Sequence, residues 1–248
     1  MSVEAHFLVH RPELESQVDR LSQQAWPTFL LHGNAGHWGS LFQEFAPYQI
    51  LLCEPADTVA AVGHTVPLVW DRSDADLPTD LETVLVRALD AHHQGLQPTA
   101  LCALAAMVAP GHRSRGLSLT LLRSMLALAA KHSLPDLIAP VRTTAKNLYP
   151  LTPFERYVQW QRKDGLPFDP WIRVHWRLGA KPLGTIPQTL VVTGTVAEWE
   201  DWTGLRFLES GQFVVPGALQ PVWIDRERDE GRYEDPNLWM RHRILKNN

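Results

Sequence analysis

Cysteine is scarce in this chain, and its scarcity excludes two kinds of small, cross-linked fold. The 248 residues include two cysteines, Cys53 and Cys102, each inside an apolar stretch. They form neither a disulfide framework nor a zinc-ligand pattern, so we predict two buried thiols in a reducing compartment. The chain has 11 histidines, but none has an H-E-x-x-H or comparable ligand spacing. We therefore predict no metal site.

Long hydrophobic runs and an excess of basic residues are also missing. No uncharged apolar run reaches the roughly 18 residues that a membrane helix requires. The first residues include Glu4 and His6, where a secretory signal would be apolar. A net charge of -4 argues against a nucleic-acid-binding protein. We expect a cytoplasmic protein with no membrane or nucleic-acid partner.

The most informative stretch is 100–132, which predicts a strand, a basic glycine turn and a helix in that order. Residues 100–108 are apolar and uncharged, as in a buried strand, and apolar residues after the turn recur with the spacing of one helix face. In the turn, Gly116 lets the backbone approach a ligand closely, and Arg113 and Arg115 add positive charge. Because a helix N-terminus attracts phosphate, the stretch predicts a pyrophosphate site.

The segment RSRGLS, from Arg113 to Ser118, resembles the (Arg/Gln)-x-x-Gly-x-(Gly/Ala) acyl-coenzyme A signature of the GNAT superfamily of N-acetyltransferases, with Ser118 in the last position. A second match to the family follows the next predicted strand, where GNAT proteins typically have an Asn-x-x-Ala-x-x-Leu-Tyr run. Three of its four positions match, and Arg142 replaces the asparagine. Pro150 then interrupts or displaces the helix that the family has there. The resemblance is specific over 100–149, about a fifth of the chain.

The resemblance implies how an acyl-coenzyme A co-substrate, acetyl-coenzyme A or another short acyl form, would be held. The strands 103–109 and 137–141 would splay apart around the pantetheine arm. Main-chain groups of Met107, Val108 and Ala109 would hydrogen-bond that arm and polarise the thioester carbonyl. The pyrophosphate would lie on the turn, so the implied binding residues there are Arg113, Ser114, Arg115, Gly116, Leu117 and Ser118.

The resemblance also implies direct transfer of the acyl group to an amine in a ternary complex. Tyr149 matches the tyrosine that protonates the leaving thiolate in many family members. A base must remove a proton from the acceptor, and Glu198 and His175 are our main candidates, with Glu200 and Asp169 as alternatives. We expect a small-molecule amine or a peptide amine as the acceptor, and the sequence leaves a homodimer open.

The whole pattern predicts an α/β (α+β) fold: a GNAT-like mixed, mostly antiparallel twisted sheet flanked by helices, with a strand-rich C-terminal extension. We predict one domain over 1–248, with a core of about 1–160 and the extension over about 161–248. Outside the central stretch, the periodicity predicts helices at 12–25 and 81–92 and a hairpin that turns at Ala56 and Asp57. In the extension we expect WIRVHWRL, TLVVTGTV and GQFVVPGAL to be strands, and most tryptophans to pack in the core.

Two other functions stay open at this point. One is a non-catalytic acyl-coenzyme A-binding module on the same fold. The other is an α/β-hydrolase-type esterase, because Phe29–Gly33, FLLHG, resembles the strand and His-Gly turn that supply oxyanion donors in those enzymes. No G-x-S-x-G nucleophile motif accompanies that turn anywhere in the chain.

Overall fold

The structure is a computed structural model and describes residues 3–244. The predicted single domain also includes residues 1–2 and 245–248, which lie outside the described residues. The described chain divides into two compact units. The first contains the residues up to Ala25, Gly36–Ala139 and those from Arg241, and the second contains Trp26–Ala35 and Pro140–Met240. Our prediction of one domain with an extended C-terminal part stays a prediction.

The sheet of the first unit has five strands that lie side by side in chain order. Neighbouring strands are antiparallel, except that β4 and β5 are parallel. The predicted hairpin is confirmed, with Ala56 and Asp57 at its turn in the left-handed region (φ 65° and 61°). The strands are β1 (Glu4–Phe7), β2 (Ile50–Glu54), β3 (Thr58–Leu68), β4 (Ala100–Val108) and β5 (Asp136–Val141), of which β5 continues into the second unit.

Helices flank this sheet, as predicted. The longest of them, α4, connects β4 to β5 and completes the predicted β-α-β crossover. It packs against the β3 backbone at Gly63, where an added Cβ would lie 3.0 Å from Cδ1 of Leu121. The helices of this unit are α1 (Glu15–Ala25), α2 (Ser40–Gln43), α3 (Leu81–His93) and α4 (Leu117–Lys131).

The second unit has its own core, built around Trp199. This indole is fully buried among apolar residues that include Phe29, Val192 and Tyr233. The sheet order is β9-β8-β7, with β6 also pairing with β9. The elements are α5 (Phe154–Tyr157), α6 (Pro170–Arg177), β6 (Lys181–Gly194), α7 (Val196–Thr203), β7 (Gly211–Phe213), β8 (Val222–Asp225) and β9 (Glu230–Arg243), of which β9 ends in the first unit.

Two predictions for the second unit need correction, and the alternative of a hydrolase loses the strand that it requires. The segment WIRVHWRL is the helix α6 instead of a strand, because the Asp169 side chain accepts hydrogen bonds from the N–H groups of Trp171 and Ile172 and so caps a helix that starts at Pro170. In GQFVVPGAL only Gly211–Phe213 forms a strand, β7, and the segment then turns at Pro216 and Gly217, where Gly217 lies in the left-handed region (φ 85°). The FLLHG segment falls in a 3-10 helix, Thr28–His32, and not in the strand that the hydrolase hypothesis requires.

Other expectations concern single side chains and sites. Cys53 and Cys102 are buried free thiols, as predicted. Trp199 packs in the core, whereas Trp176 and Trp223 are 45% and 51% exposed. Within residues 3–244 no helix has the length and apolar character needed to cross a membrane. In the same range no group of three or more His, Cys, Asp and Glu side chains is placed to hold a metal ion.

Candidate acyl-coenzyme A site

The second half of β4 has an open edge. β4 pairs with β5 at Leu101–Leu137 and Cys102–Ile138. Among the described residues it forms no further ladder pair with β5, although it continues to Val108 and stays paired with β3 throughout. The two parallel strands therefore separate, as the family resemblance implies, and leave one side of the β4 backbone available to an extended ligand.

A bulge in β4 marks the point of separation. His64 lies opposite Ala105, while the next β3 residue, Thr65, lies opposite Ala103. Leu104 is therefore the extra residue in β4. Because a bulge bends its strand and increases the local twist, Leu104 explains why β4 leaves β5 shortly after Cys102.

The register also decides which main-chain groups of β4 point to the open edge. The N–H of Ala109 donates to the carbonyl of Ala60 in β3 at 2.9 Å. Since hydrogen-bonding direction alternates along an antiparallel pair, Met107 also faces β3, and Val108 and Ala106 face the open edge. Of the three main-chain positions predicted to hold the pantetheine arm, Val108 thus has the required direction. Ala106 was missed, and only the strand register could have revealed it.

The glycine turn after β4 leads directly into α4. Gly116 is the N-cap of α4 and has a left-handed conformation (φ 77°, ψ 5°), and no side chain caps the helix. An added Cβ at Gly116 would meet no heavy atom within 4 Å. Ser114 is also left-handed (φ 65°). The first N–H groups of α4 are therefore open to an anion, and the space in front of them is clear, which fits a pyrophosphate.

Glu54, at the end of β2, fixes the position of this turn. Its carboxylate lies 3.0 Å from Nε2 of His112 and 3.2 Å from Nη1 of Arg115. Arg115 is therefore already paired with an acid, whereas Arg113 lies exposed on the turn. Of these two arginines, Arg113 is the better placed to meet a phosphate without breaking an existing ion pair.

Tyr149, the predicted proton donor, lies in the second unit. A 3-10 turn, Lys146–Leu148, precedes it in place of a long helix, so the predicted interruption is confirmed. Its ring lies 5.0 Å from that of Trp160 and 5.8 Å from that of Phe168, centroid to centroid, and the residue is 37% exposed. The Lys146 ammonium donates to the carbonyl of Tyr149 at 2.9 Å. The turn and the aromatic contacts thus hold the phenol in place.

The candidate bases also lie in the second unit, and each of the four has contacts there; the His175 ring, for example, lies 4.6 Å from that of Trp171, centroid to centroid. Glu198 accepts from the N–H and hydroxyl of Thr195 at the start of α7, and these bonds hold the pKa of Glu198 below its usual range. Glu200 accepts from Phe207 N–H, and Asp169 caps α6. His175 is buried in α6, 2% exposed. A lowered pKa makes Glu198 a weaker base, and the roles of Glu198 and His175 stay predictions.

Comparison with known proteins shows what this chain is similar to in sequence and in fold. No protein-family model matches the chain. The arginine N-acetyltransferase avaD of Aspergillus versicolor is 29% identical over an alignment 249 positions long, which covers 88% of this chain and 85% of that protein. The loading GNATL domain of CurA from Lyngbya majuscula has a similar structure (TM-score 0.65, 16% identity, 98% of both chains). So has the GphF GNAT-like decarboxylase in complex with isobutyryl-CoA (TM-score 0.59, 18% identity, 99% of this chain and 100% of that one).

Proposed function

We propose that this chain, a member of the GNAT superfamily of acyl-coenzyme A-dependent N-acetyltransferases, transfers its acyl group directly to the nitrogen of a small-molecule amine. The observation that carries the proposal is the open edge of β4, which runs from the bulge at Leu104 to the uncapped N-terminus of α4. An edge strand followed by an anion site suits a ligand with an amide-containing arm and a pyrophosphate.

The proposed chemistry uses main-chain groups for binding and polarisation. Ala106 and Val108 present N–H and C=O groups to the arm, and the N–H of Val108 donates to the thioester carbonyl oxygen. Negative charge grows on that oxygen as the amine nitrogen attacks, so a fixed donor there lowers the barrier. The C–S bond then breaks, and the sulfur receives a proton. We propose Tyr149 for this proton transfer and keep Glu198 and His175 as candidates for accepting the proton that the amine loses.

The nature of the acceptor is proposed from a relative. The avaD protein is named for acetylation of arginine. L-arginine, which carries both an amino group and a guanidino group, is therefore the first acceptor to test. The chain would bind it as a small cation close to the β4 edge.

Released coenzyme A, measured with a thiol reagent, tests the proposal when the chain is incubated with acetyl-coenzyme A and a panel of amines that includes L-arginine. We expect thiol release that depends on both the chain and the amine, and mass spectrometry should find the acetylated amine. Binding of acetyl-coenzyme A without amine-dependent release would indicate the non-catalytic module instead. Ester hydrolysis by a chain that does not bind acetyl-coenzyme A would contradict the proposal altogether.

A further inference from the structure

His64 is a fully buried histidine in the middle of the apolar strand β3 (0% exposed). Its Nδ1 lies 2.9 Å from Oε1 of Gln49. The Gln49 amide nitrogen donates to the carbonyls of Phe45 (2.7 Å) and Thr65 (2.9 Å), so both of its protons are in use. Oε1 of Gln49 must therefore be the acceptor, and Nδ1 of His64 carries the imidazole proton.

This arrangement leaves a lone pair on the other ring nitrogen. Nε2 of His64 is buried and has no hydrogen-bond partner within residues 3–244. Burial lowers the pKa of His64 to about 4, so the ring is neutral at neutral pH. A buried acceptor without a partner is costly, so its presence in an apolar strand calls for an explanation beyond packing.

The position of His64 connects it with the candidate site. It lies directly opposite Ala105, beside the β4 bulge, so the two side chains share one face of the sheet. Gly63, the preceding residue, faces α4, which places His64 on the opposite face. Ala105 carries only a methyl group, so the β4 side chain opposite the imidazole is a small one. Val108 follows three residues later, about 10 Å along the strand.

Two aromatic side chains cover the imidazole from the solvent side. The ring centroids of Trp38 and Phe42 lie 5.3 Å and 5.7 Å from that of His64, with the ring planes steeply inclined. Trp38 and Phe42 are each partly exposed. Through these two rings the buried imidazole is connected with the surface of the first unit.

We propose that Nε2 of His64 accepts a hydrogen bond from an N–H of the acceptor substrate, with Trp38 and Phe42 as the aromatic wall of the acceptor pocket. The inference rests on the proposed function and specifies its acceptor: a nitrogen that still carries a proton to donate, on a small cationic molecule. A neutral imidazole does not repel such a cation, and aromatic rings attract it.

Two substitutions distinguish the role of Nε2 of His64 from that of Nδ1. His64→Asn keeps an amide near Nδ1, where it can still donate to Gln49, and lacks any atom at Nε2. His64→Gln places an amide oxygen near Nε2 and serves as the matched control. We expect His64→Asn to lower kcat/KM for L-arginine by at least about tenfold, as loss of one substrate hydrogen bond does. His64→Gln should stay within about threefold of the wild type, and both variants should bind acetyl-coenzyme A as the wild type does.

The outcomes of this experiment distinguish a failure of the His64 role from a failure of the proposed function. If the wild type acetylates L-arginine and His64→Asn is equally active, the role of His64 is refuted while the proposed function stands. If the wild type acetylates no amine of the panel, both the proposed function and the role of His64 are refuted. If His64→Asn does not fold, the wild type labelled with ¹⁵N-histidine gives the answer. Its Nε2 resonance should shift when L-arginine and coenzyme A are added together, and an unchanged resonance would overturn the inference.

Discussion

Acidification from pH about 7.5 to about 4.5 is expected to destabilise the folded chain by about 2–3 kcal/mol through His64 alone. Burial lowers the pKa of this imidazole from its ordinary 6.5 to about 4. As the pH falls below the ordinary value, the unfolded chain binds a proton that the folded chain does not. The free energy of unfolding therefore declines between these two pKa values, by at most about 1.4 kcal/mol per pH unit, and His64 adds no further loss below the lower one.

The assay is denaturant unfolding at a series of pH values for the wild type and His64→Gln. Both chains share all other titrating groups, so the difference between their unfolding free energies isolates His64. That difference should change by about 2–3 kcal/mol over the pH range, and most of the change should fall below pH about 6.5. A difference that stays constant with pH would show that His64 titrates normally in the folded chain. It would then be neither desolvated nor held as the neutral tautomer.

Three further substitutions test separate parts of the account. Gly116→Trp should abolish acetyl-coenzyme A binding in calorimetry while the chain stays folded, because the side chain would fill the clear space in front of α4. Tyr149→Phe should lower kcat by about 100-fold or more with little change in the affinity for acetyl-coenzyme A, since it removes only a proton donor. Gly231→Ala should cost about 3 kcal/mol of stability in thermal unfolding, because the new Cβ would overlap the buried ring of Trp199.

Matched controls come from other glycines. Gly165 has the same left-handed conformation as Gly116 (φ 76° against 77°) and equally open surroundings, so Gly165→Trp should leave acetyl-coenzyme A binding intact. Gly184 lies in strand β6 with no atom near its missing Cβ, so Gly184→Ala should change stability little. If the Gly116 and Gly165 variants bind acetyl-coenzyme A equally well, the pyrophosphate does not bind at the Gly116 turn. Unchanged kcat in Tyr149→Phe would remove Tyr149 from the mechanism, and a stable Gly231→Ala would show that Trp199 can repack.

The first unit was predictable because its signals are local. The strand β4, the turn at Gly116 and the helix α4 follow one another in sequence, and each has the periodicity of its own element. The turn of the β2–β3 hairpin at Ala56 was readable for the same reason. What the local pattern could not show is the bulge at Leu104, because a bulge is defined by the register against a second strand.

The second unit was harder to predict because its elements depend on distant partners. β9 contains Asp235, whose carboxylate accepts a hydrogen bond from Arg142, 93 residues earlier, and no local pattern in the sequence shows that contact. The helix α6 begins because Asp169 caps it, although the alternating WIRVHWRL segment also suits a strand. His64 escaped attention for a similar reason. A single histidine in an apolar strand gains meaning only through Gln49 and its two carbonyl partners.

The ratio of coenzyme A released to amine acetylated tests the central claim most directly. In a reaction of the wild type with acetyl-coenzyme A and L-arginine, we expect one acetylated product for each thiol released and no release when the amine is omitted. Thiol release that continues without any amine, or that leaves the amine unmodified, would contradict direct transfer from acyl-coenzyme A to an amine.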